Sequence, residues 1–383
     1  MTKAAELAKM GEVLTNSQIG GRRNMIINGG MQVAQRGTSL AMAHDGTNSS
    51  YLIDRWRIAL NGTDQLDGTY AQVADHPLGG TGTSLKWTTG TAESAIASDE
   101  YGYIGQIIEA QNLQHLRYAT SNAETVTLSF YVKSSITGTF AVGFYKPDTS
   151  TRIFNKTYTI DSANTWEKKT LTFVGDTDSS AGIANDNGQG IWVSWHLVAG
   201  SDYDSGDATS GWTDYATNKW ASGQATDAVV TTAGATFQIT ECQLEVGEQA
   251  TPFEHRSFDE ERSLCQRYFQ VLFGTADDNH FTALATSRWS TNTAFFSIPL
   301  HKIMRAEPSM TVLDKDGTAS SGAAGNVQGN GNADDYTAGN MTLQSAHDGV
   351  TTISIGLDNN PSATHAHVAY FGSGEKIHFD AEL

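Results

Sequence analysis

Between Val126 and Leu197, apolar side chains recur at every second residue, and this period decides what the chain can become. Val126, Leu128, Phe130 and Val132 alternate with Thr127, Ser129 and Tyr131. Phe140, Val142 and Phe144 repeat the pattern. Phe154, Tyr158 and Ile160 continue at even spacing, then Leu171 and Phe173, and Ile191, Val193, Trp195 and Leu197 form a further row. Successive strand side chains point to opposite faces, whereas helices repeat every 3.6 residues, so each row is a strand with one buried face. Many short strands without alternating helices predict an all-β fold, here a jelly-roll-like β-sandwich. Phe237 and Ile239 share one parity, while Cys242, Leu244 and Val246 share the other. A β-bulge near Thr240–Glu241 is predicted to make that switch.

The remaining pattern divides the chain. Residues 1–22 are predicted to form an N-terminal arm, with Leu7, Met10 and Leu14 at helical spacing and Gly11 weakening the helix. A helix that short needs a partner surface. Residues 23–256 read as the large sandwich. Residues 257–272 read as a linking helix, because Ser257 and Glu260 make a capping box and Phe258, Cys265, Tyr268, Phe269 and Leu272 follow at helical spacing. Residues 273–383 return to strand patterns and are predicted to be a second, smaller β-sandwich.

Charge excludes whole classes of function. The formal net charge is -18, and Lys and Arg form no cluster. A nucleic-acid binder needs a basic footprint, so no nucleic-acid partner is expected. No apolar run approaches the roughly 20 residues that span a bilayer, so no membrane insertion is expected. The N-terminus carries no apolar signal region, so no secretory export is expected. Cys242 and Cys265 are predicted to be buried thiols, which suits a reducing cytoplasm.

Three segments resemble a recurring group of bacteriophage tail-fibre and virion structural proteins. The first is Arg23-Asn24-Met25-Ile26-Ile27-Asn28-Gly29-Gly30-Met31, running through Gln35-Arg36-Gly37-Thr38 to Asp54-Arg55-Trp56. The second is Gln243-Leu244-Glu245-Val246-Gly247, then Ala250-Thr251-Pro252-Phe253-Glu254 and Glu261-Arg262-Ser263-Leu264-Cys265-Gln266-Arg267-Tyr268-Phe269. The third is Met304-Arg305-Ala306 with Pro308. The resemblance implies a carbohydrate-binding-module-like sandwich between the first two segments. It also implies a homotrimer, other virion proteins (tail or adaptor) as partners, contact with a host surface glycan, and a particle assembled in the host cytoplasm. On this reading the arm, through Leu7, Met10 and Leu14, docks on the virion. Physically, Asn28-Gly29-Gly30 is expected to supply a sharp turn with positive φ. Asp54 and Arg55 are expected to hold that turn by hydrogen bonds, and Trp56 to anchor it in the core.

The expected function is therefore host attachment without catalysis. Its rivals are a head fibre, decoration or tail adaptor protein with no receptor role, and a glycan-depolymerising tailspike. G-x-S-x-G, P-loop and H-E-x-x-H motifs are absent. Asp259-Glu260-Glu261 sit at a predicted helix start, where the helix dipole favours them. Trp192, Ser194 and His196 alternate with the row around Trp195 and should face away from its core. Trp192, His196, Tyr203, Trp212, Tyr215 and Trp220 are thus the candidate glycan contacts. Asp176, Asp178 and Asp186 lie in a polar loop without EF-hand spacing. His365 and His367 share a face of a predicted strand, and a plain surface pair is the expectation. No metal and no cofactor is expected.

Overall fold

A computed structural model describes residues 23–43, 47–62, 65–272, 293–313 and 376–383, with Lys3 and short strand segments between residues 282 and 371. Apart from Lys3, the arm lies outside the described residues, including Leu7, Met10 and Leu14, and so does His365. The chain divides into two compact units, residues 1–261 with Leu383, and Arg262–Glu382.

In the first unit the strands are β1 Ser39–Met42, β2 Thr47–Tyr51, β3 Arg57–Asn61, β4 Gly68–Val73, β5 Ser84–Thr89, β6 Tyr101–Glu109 and β7 Val126–Ser134. They continue as β8 Gly138–Lys146, β9 Arg152–Ile160, β10 Glu167–Phe173, β11 Gln189–Ala199, β12 Thr213–Asp214 and β13 Thr236–Val246. They form two antiparallel sheets, a six-stranded one in the order β1-β4-β5-β13-β7-β10 and a seven-stranded one in the order β12-β9-β8-β11-β6-β3-β2. The period-2 rows are the inner faces of this sandwich. Aromatic rings bridge the sheets: Phe130 of β7 meets Trp195 of β11 at 5.4 Å and Tyr158 of β9 at 5.2 Å between centroids. Phe173 of β10 stacks on Phe144 of β8 at 3.9 Å. Trp56, Trp87, Trp195 and Phe130 are fully buried. Burying such a ring contributes on the order of 1.5–3 kcal/mol.

The bulge in β13 stands where parity placed it. Thr240 faces Tyr131 and Gln243 faces Ser129, so Glu241 and Cys242 together oppose Phe130. Glu241 takes φ +48, and Cys242 and Leu244 turn into the core.

Beside the bulge, the first two resembling segments interlock. Asn24 receives the Leu244 N–H on its Oδ1 (3.0 Å) and donates Nδ2 to the Cys242 carbonyl (3.0 Å). Glu254 accepts the N–H groups of Arg23 and Asn24 at 2.8 and 2.7 Å. Asn28 donates Nδ2 to the carbonyls of Val33 and Asp54, at 2.8 and 3.0 Å. Its own carbonyl accepts the Trp56 indole N–H at 2.9 Å. The Asp54 carboxylate accepts the Gln35 N–H at 2.6 Å, and Arg55 donates to the Ile107 carbonyl. Positive φ falls on Asn28 and Met31, at +58° and +57°, and on neither glycine of the motif. Gly29 is required for a different reason: a Cβ there would lie 2.1 Å from the Cys242 carbonyl oxygen.

The linking helix is shorter than expected. It runs from Phe258 to Cys265, with Ser257 Oγ accepting the Glu260 N–H at 3.2 Å, so Ser257 caps the helix start. Phe269–Leu272 is strand β14, not the last helical turn. Its backbone pairs antiparallel along Lys376–Asp380, and Phe269 packs its ring on His378 at 5.0 Å. That aromatic and β-branched run fits a pleated surface.

The second unit continues with β15 Thr282–Ala285, β16 Ser287–Arg288, β17 Thr293–Pro299, β18 Ser309–Leu313, β19 Asn326–Gly329 and β20 Tyr336–Thr337. It ends with β21 Met341–Ser345, β22 Thr352–Asp358, β23 His367–Phe371 and β24 Lys376–Asp380. Three small antiparallel sheets result, β14-β24-β18, β15-β23-β19-β20 and β16-β17-β22-β21. Arg305 ties this unit together. Its N–H donates to the Arg267 carbonyl at 2.8 Å, and its guanidinium reaches the carbonyls of Ala381 and Glu382 at 2.8 and 3.1 Å. The second and third resembling segments thus meet here.

Candidate functional site

The outward face of the seven-stranded sheet carries a second apolar cluster, separate from the core. The alternation that buries Val193 and Trp195 turns Trp192, Ser194 and His196 outward. On the flanking strands Tyr101 and Tyr103 of β6, Tyr145 of β8 and Arg57 of β3 share this face. Register places Gly143 of β8 and Gly105 of β6 on either side of Ser194, with Asn155 beyond Gly143 and Arg57 beyond Gly105. Both glycines are closely approached: a Cβ at Gly143 would lie 2.1 Å from Asn155 Oδ1, and one at Gly105 would lie 2.5 Å from the Val193 carbonyl oxygen.

The segment from Gly200 to Gly223 folds over part of this face and is pinned to it. Thr213 and Asp214 add β12 to β9, Asn155 Nδ2 donates to the Lys219 carbonyl (2.8 Å), and Ala221 N–H donates to the Tyr203 carbonyl (2.9 Å). Trp220 becomes the hub of an aromatic nest. Its centroid lies 5.3 Å from Tyr145, 5.5 Å from Tyr103, 5.7 Å from His196, 6.0 Å from Trp192 and 6.5 Å from Tyr215, all edge to face. Such arrangements suit the ring quadrupoles. Tyr203 meets Tyr101 in the same way at 4.6 Å.

The six candidate contacts therefore separate. Trp192, Tyr203 and Tyr215 are half-buried on one face, together with Tyr101 and Tyr145. Trp220 (7% exposed) and His196 (0%) are corrected from contacts to supports, because the Gly200–Gly223 segment brings the Trp220 ring down onto the face beside His196 and both are buried. Trp212 is corrected as well. It packs on Tyr118 (5.7 Å) and Phe154 (5.9 Å) at the rim of the main core, and its indole N–H donates to the Val174 carbonyl. Arg57, Tyr101, Tyr103 and Tyr145 were missed, although the parity that turned Trp192 outward applies to them equally.

Burial controls the ionisation of this face. It pushes the phenols of Tyr101, Tyr103 and Tyr145 up, so they stay neutral. It pulls the His196 imidazole down to about 3. Ser194 Oγ, Asn155 Oδ1, Trp220 Nε1 and both His196 nitrogens are buried without a hydrogen-bond partner among the described residues. The aromatic part of the face is thus neutral, with polar groups beneath it and the Arg57 guanidinium over Trp192.

The polar loop resolves into ion pairs. Arg152 holds Asp176 through Nε (3.1 Å) and Nη2 (3.2 Å), and reaches Asp214 (2.7 Å) and Asp178 (3.6 Å) through Nη1. The Lys146 ammonium sits against the carbonyls of Asp148 (3.0 Å), Ser150 (3.0 Å) and Gly182 (3.4 Å). Asp186 caps its own turn by accepting the Gly188 N–H at 2.8 Å. Side-chain cations thus occupy the oxygen-rich positions of this loop. Cys242 and Cys265 are both buried thiols, and burial raises the Cys242 pKa.

No family model matches the chain, and no curated protein matches it. Solved structures offer distant likenesses. The enzymatically active domain of tailspike protein 4 from bacteriophage CBA120 is 12% identical with a TM-score of 0.31, covering 58% of this chain and 21% of that one. A protein from Bacteroides thetaiotaomicron described as sugar-binding is 14% identical with a TM-score of 0.34, covering 59% and 100%. The family 11 carbohydrate-binding module of a Clostridium thermocellum cellulase is 10% identical with a TM-score of 0.26, covering 59% and 97%.

Proposed function

We propose that the protein is a non-catalytic attachment component of a tailed-phage particle, and that it holds a host surface glycan against the outward face of its seven-stranded sheet. The half-buried aromatic group Trp192, Tyr101, Tyr145, Tyr203 and Tyr215 carries this reading. Neutral rings held rigid by a buried Trp220 offer flat apolar surfaces of the kind that sugar C–H groups cover, at little cost in side-chain entropy. The virion setting rests on the three resembling segments, and their interlocking accounts for why those residues occur together. Oligomerisation, as a trimer by that resemblance, would sum weak single contacts. The arm, through Leu7, Met10 and Leu14, would fix the chain to the particle.

The test is binding of the purified full-length oligomer to intact host cells, with Trp192→Ala/Tyr215→Ala beside Trp212→Ala. Binding lost in the double variant and kept in Trp212→Ala supports the reading. Equal binding by all three proteins, or none by the unaltered one, overturns it and favours a structural component whose aromatic face is covered by a neighbour.

A further inference from the structure

Resting on that reading, we infer that the aromatic face selects a saccharide bearing a carboxylate, with Arg57 as the residue that recognises it. Arg57 lies on β3 at the same level as Ser194, separated from it only by Gly105. The guanidinium lies over the Trp192 ring, its central carbon 5.5 Å from the indole centroid. Its Nε donates to Ser49 Oγ at 2.5 Å, which orients the fork. Among the described residues no carboxylate pairs with Arg57. A guanidinium is a planar fork that matches a carboxylate with two parallel hydrogen bonds, and a half-buried one without an acidic partner is suited to take its partner from a ligand.

The charge is placed asymmetrically. Toward Tyr203, Ser98 holds Asp202 at 3.2 Å. The Tyr203 phenol is pushed up by burial first, then by Tyr101 and Tyr215, and also by the nearby carboxylates of Asp99 and Asp202. An anionic group is therefore repelled at the Tyr203 end and drawn to the Arg57 end. A pyranose laid against Trp192 brings its carboxylate within reach of Arg57, which fixes the direction of the sugar along the face. The net charge of -18 narrows the class further. A chain with several sulfates per sugar pair would be repelled by the molecule as a whole more strongly than one with at most one carboxylate per sugar, and a carboxylate beside the guanidinium gains locally at short range. The ligand class is thus a hexuronate or sialic-acid-bearing oligosaccharide.

The experiment titrates the full-length protein with sialyl-lactose, oligogalacturonate and oligoguluronate. Each is paired with its carboxyl-reduced, neutral counterpart, and sulfated oligosaccharides run beside them. The unaltered protein is expected to prefer at least one acid over its reduced partner by about tenfold, equivalent to about 1.4 kcal/mol. Arg57→Met should abolish the preference while leaving the reduced sugar's affinity in place. Arg57→Lys should retain part of it, and Trp192→Ala should weaken both sugars. Unchanged thermal midpoints show that the variants fold. Equal affinity for acid and reduced forms, insensitivity of the preference to Arg57→Met, or preference for sulfated chains overturns this inference and leaves the glycan reading standing. No binding by any saccharide, together with cell binding indifferent to Trp192, overturns both.

Discussion

His196 should make the sandwich lose stability on mild acidification. Its imidazole is fully buried on the outward face, neither ring nitrogen has a partner among the described residues, and burial pulls its pKa down to about 3. In the unfolded chain the same group titrates near 6.5. A depressed folded pKa favours the folded state above the unfolded value, and that contribution is lost as pH falls toward the folded one. Below pH ~6.5 the unfolded state binds a proton that the folded state refuses, at about 1.36 kcal/mol per pH unit. Between pH 7.5 and 5.0 this term amounts to about 2 kcal/mol, a large part of a usual 5–15 kcal/mol stability. The assay is urea unfolding followed by tryptophan fluorescence, since every tryptophan except Trp289 lies before residue 262. His196→Leu removes the titration, so the variant should gain about 2 kcal/mol on the unaltered protein over that interval. Other groups cancel in the difference: the partly buried His115, pulled down by burial, and Asp204 and Asp227, pushed up by burial, are present in both proteins. Parallel curves between pH 7.5 and 5.0, or a His196 resonance titrating near 6.5, would show that burial of His196 carries no such pH dependence.

Three further outcomes follow from the fold. Arg152→Met leaves the buried Asp176 carboxylate without its partner and should cost about 3–5 kcal/mol in urea unfolding, with a loss under about 1 kcal/mol contradicting the pairing. Gly29→Ala sets a Cβ 2.1 Å from the Cys242 carbonyl oxygen and should cost about 1–3 kcal/mol. Gly211→Ala, which meets nothing within 4 Å, serves as its control, and equal stabilities would remove the steric argument. Ser257→Ala removes the helix cap and should cost about 1 kcal/mol by thermal unfolding, whereas no change would mean that the cap does not hold the helix.

What the sequence revealed follows from how local each signal was. The inner rows from Val126 to Leu197 and the bulge at Glu241–Cys242 were readable because strand parity is a property of neighbouring residues. The linking helix was overextended because Phe269 and Leu272 also fit a helical spacing, and only pairing with β24 makes that run a strand. At the candidate site, parity alone turned Trp192 and His196 outward. It could not show that a segment ending at Gly223 would fold back and bury His196 and Trp220, because contacts between distant parts of the chain leave no local period. Trp212 failed for the same reason, its place being set by Tyr118 and Phe154. The glycine of Asn28-Gly29-Gly30 was legible as a turn signal. Its actual constraint, the close approach of Cys242, is more than 200 residues away along the chain.

By the proposed function, a saccharide is held on the outward face of the seven-stranded sheet. Indole N–H resonances in a two-dimensional NMR titration with surface polysaccharide from the host test it most directly. Trp192 Nε1–H should shift in step with binding, while the buried Trp56, Trp87 and Trp195 stay in place. Binding accompanied by shifts at Trp166 or Trp212, with Trp192 unmoved, would contradict it.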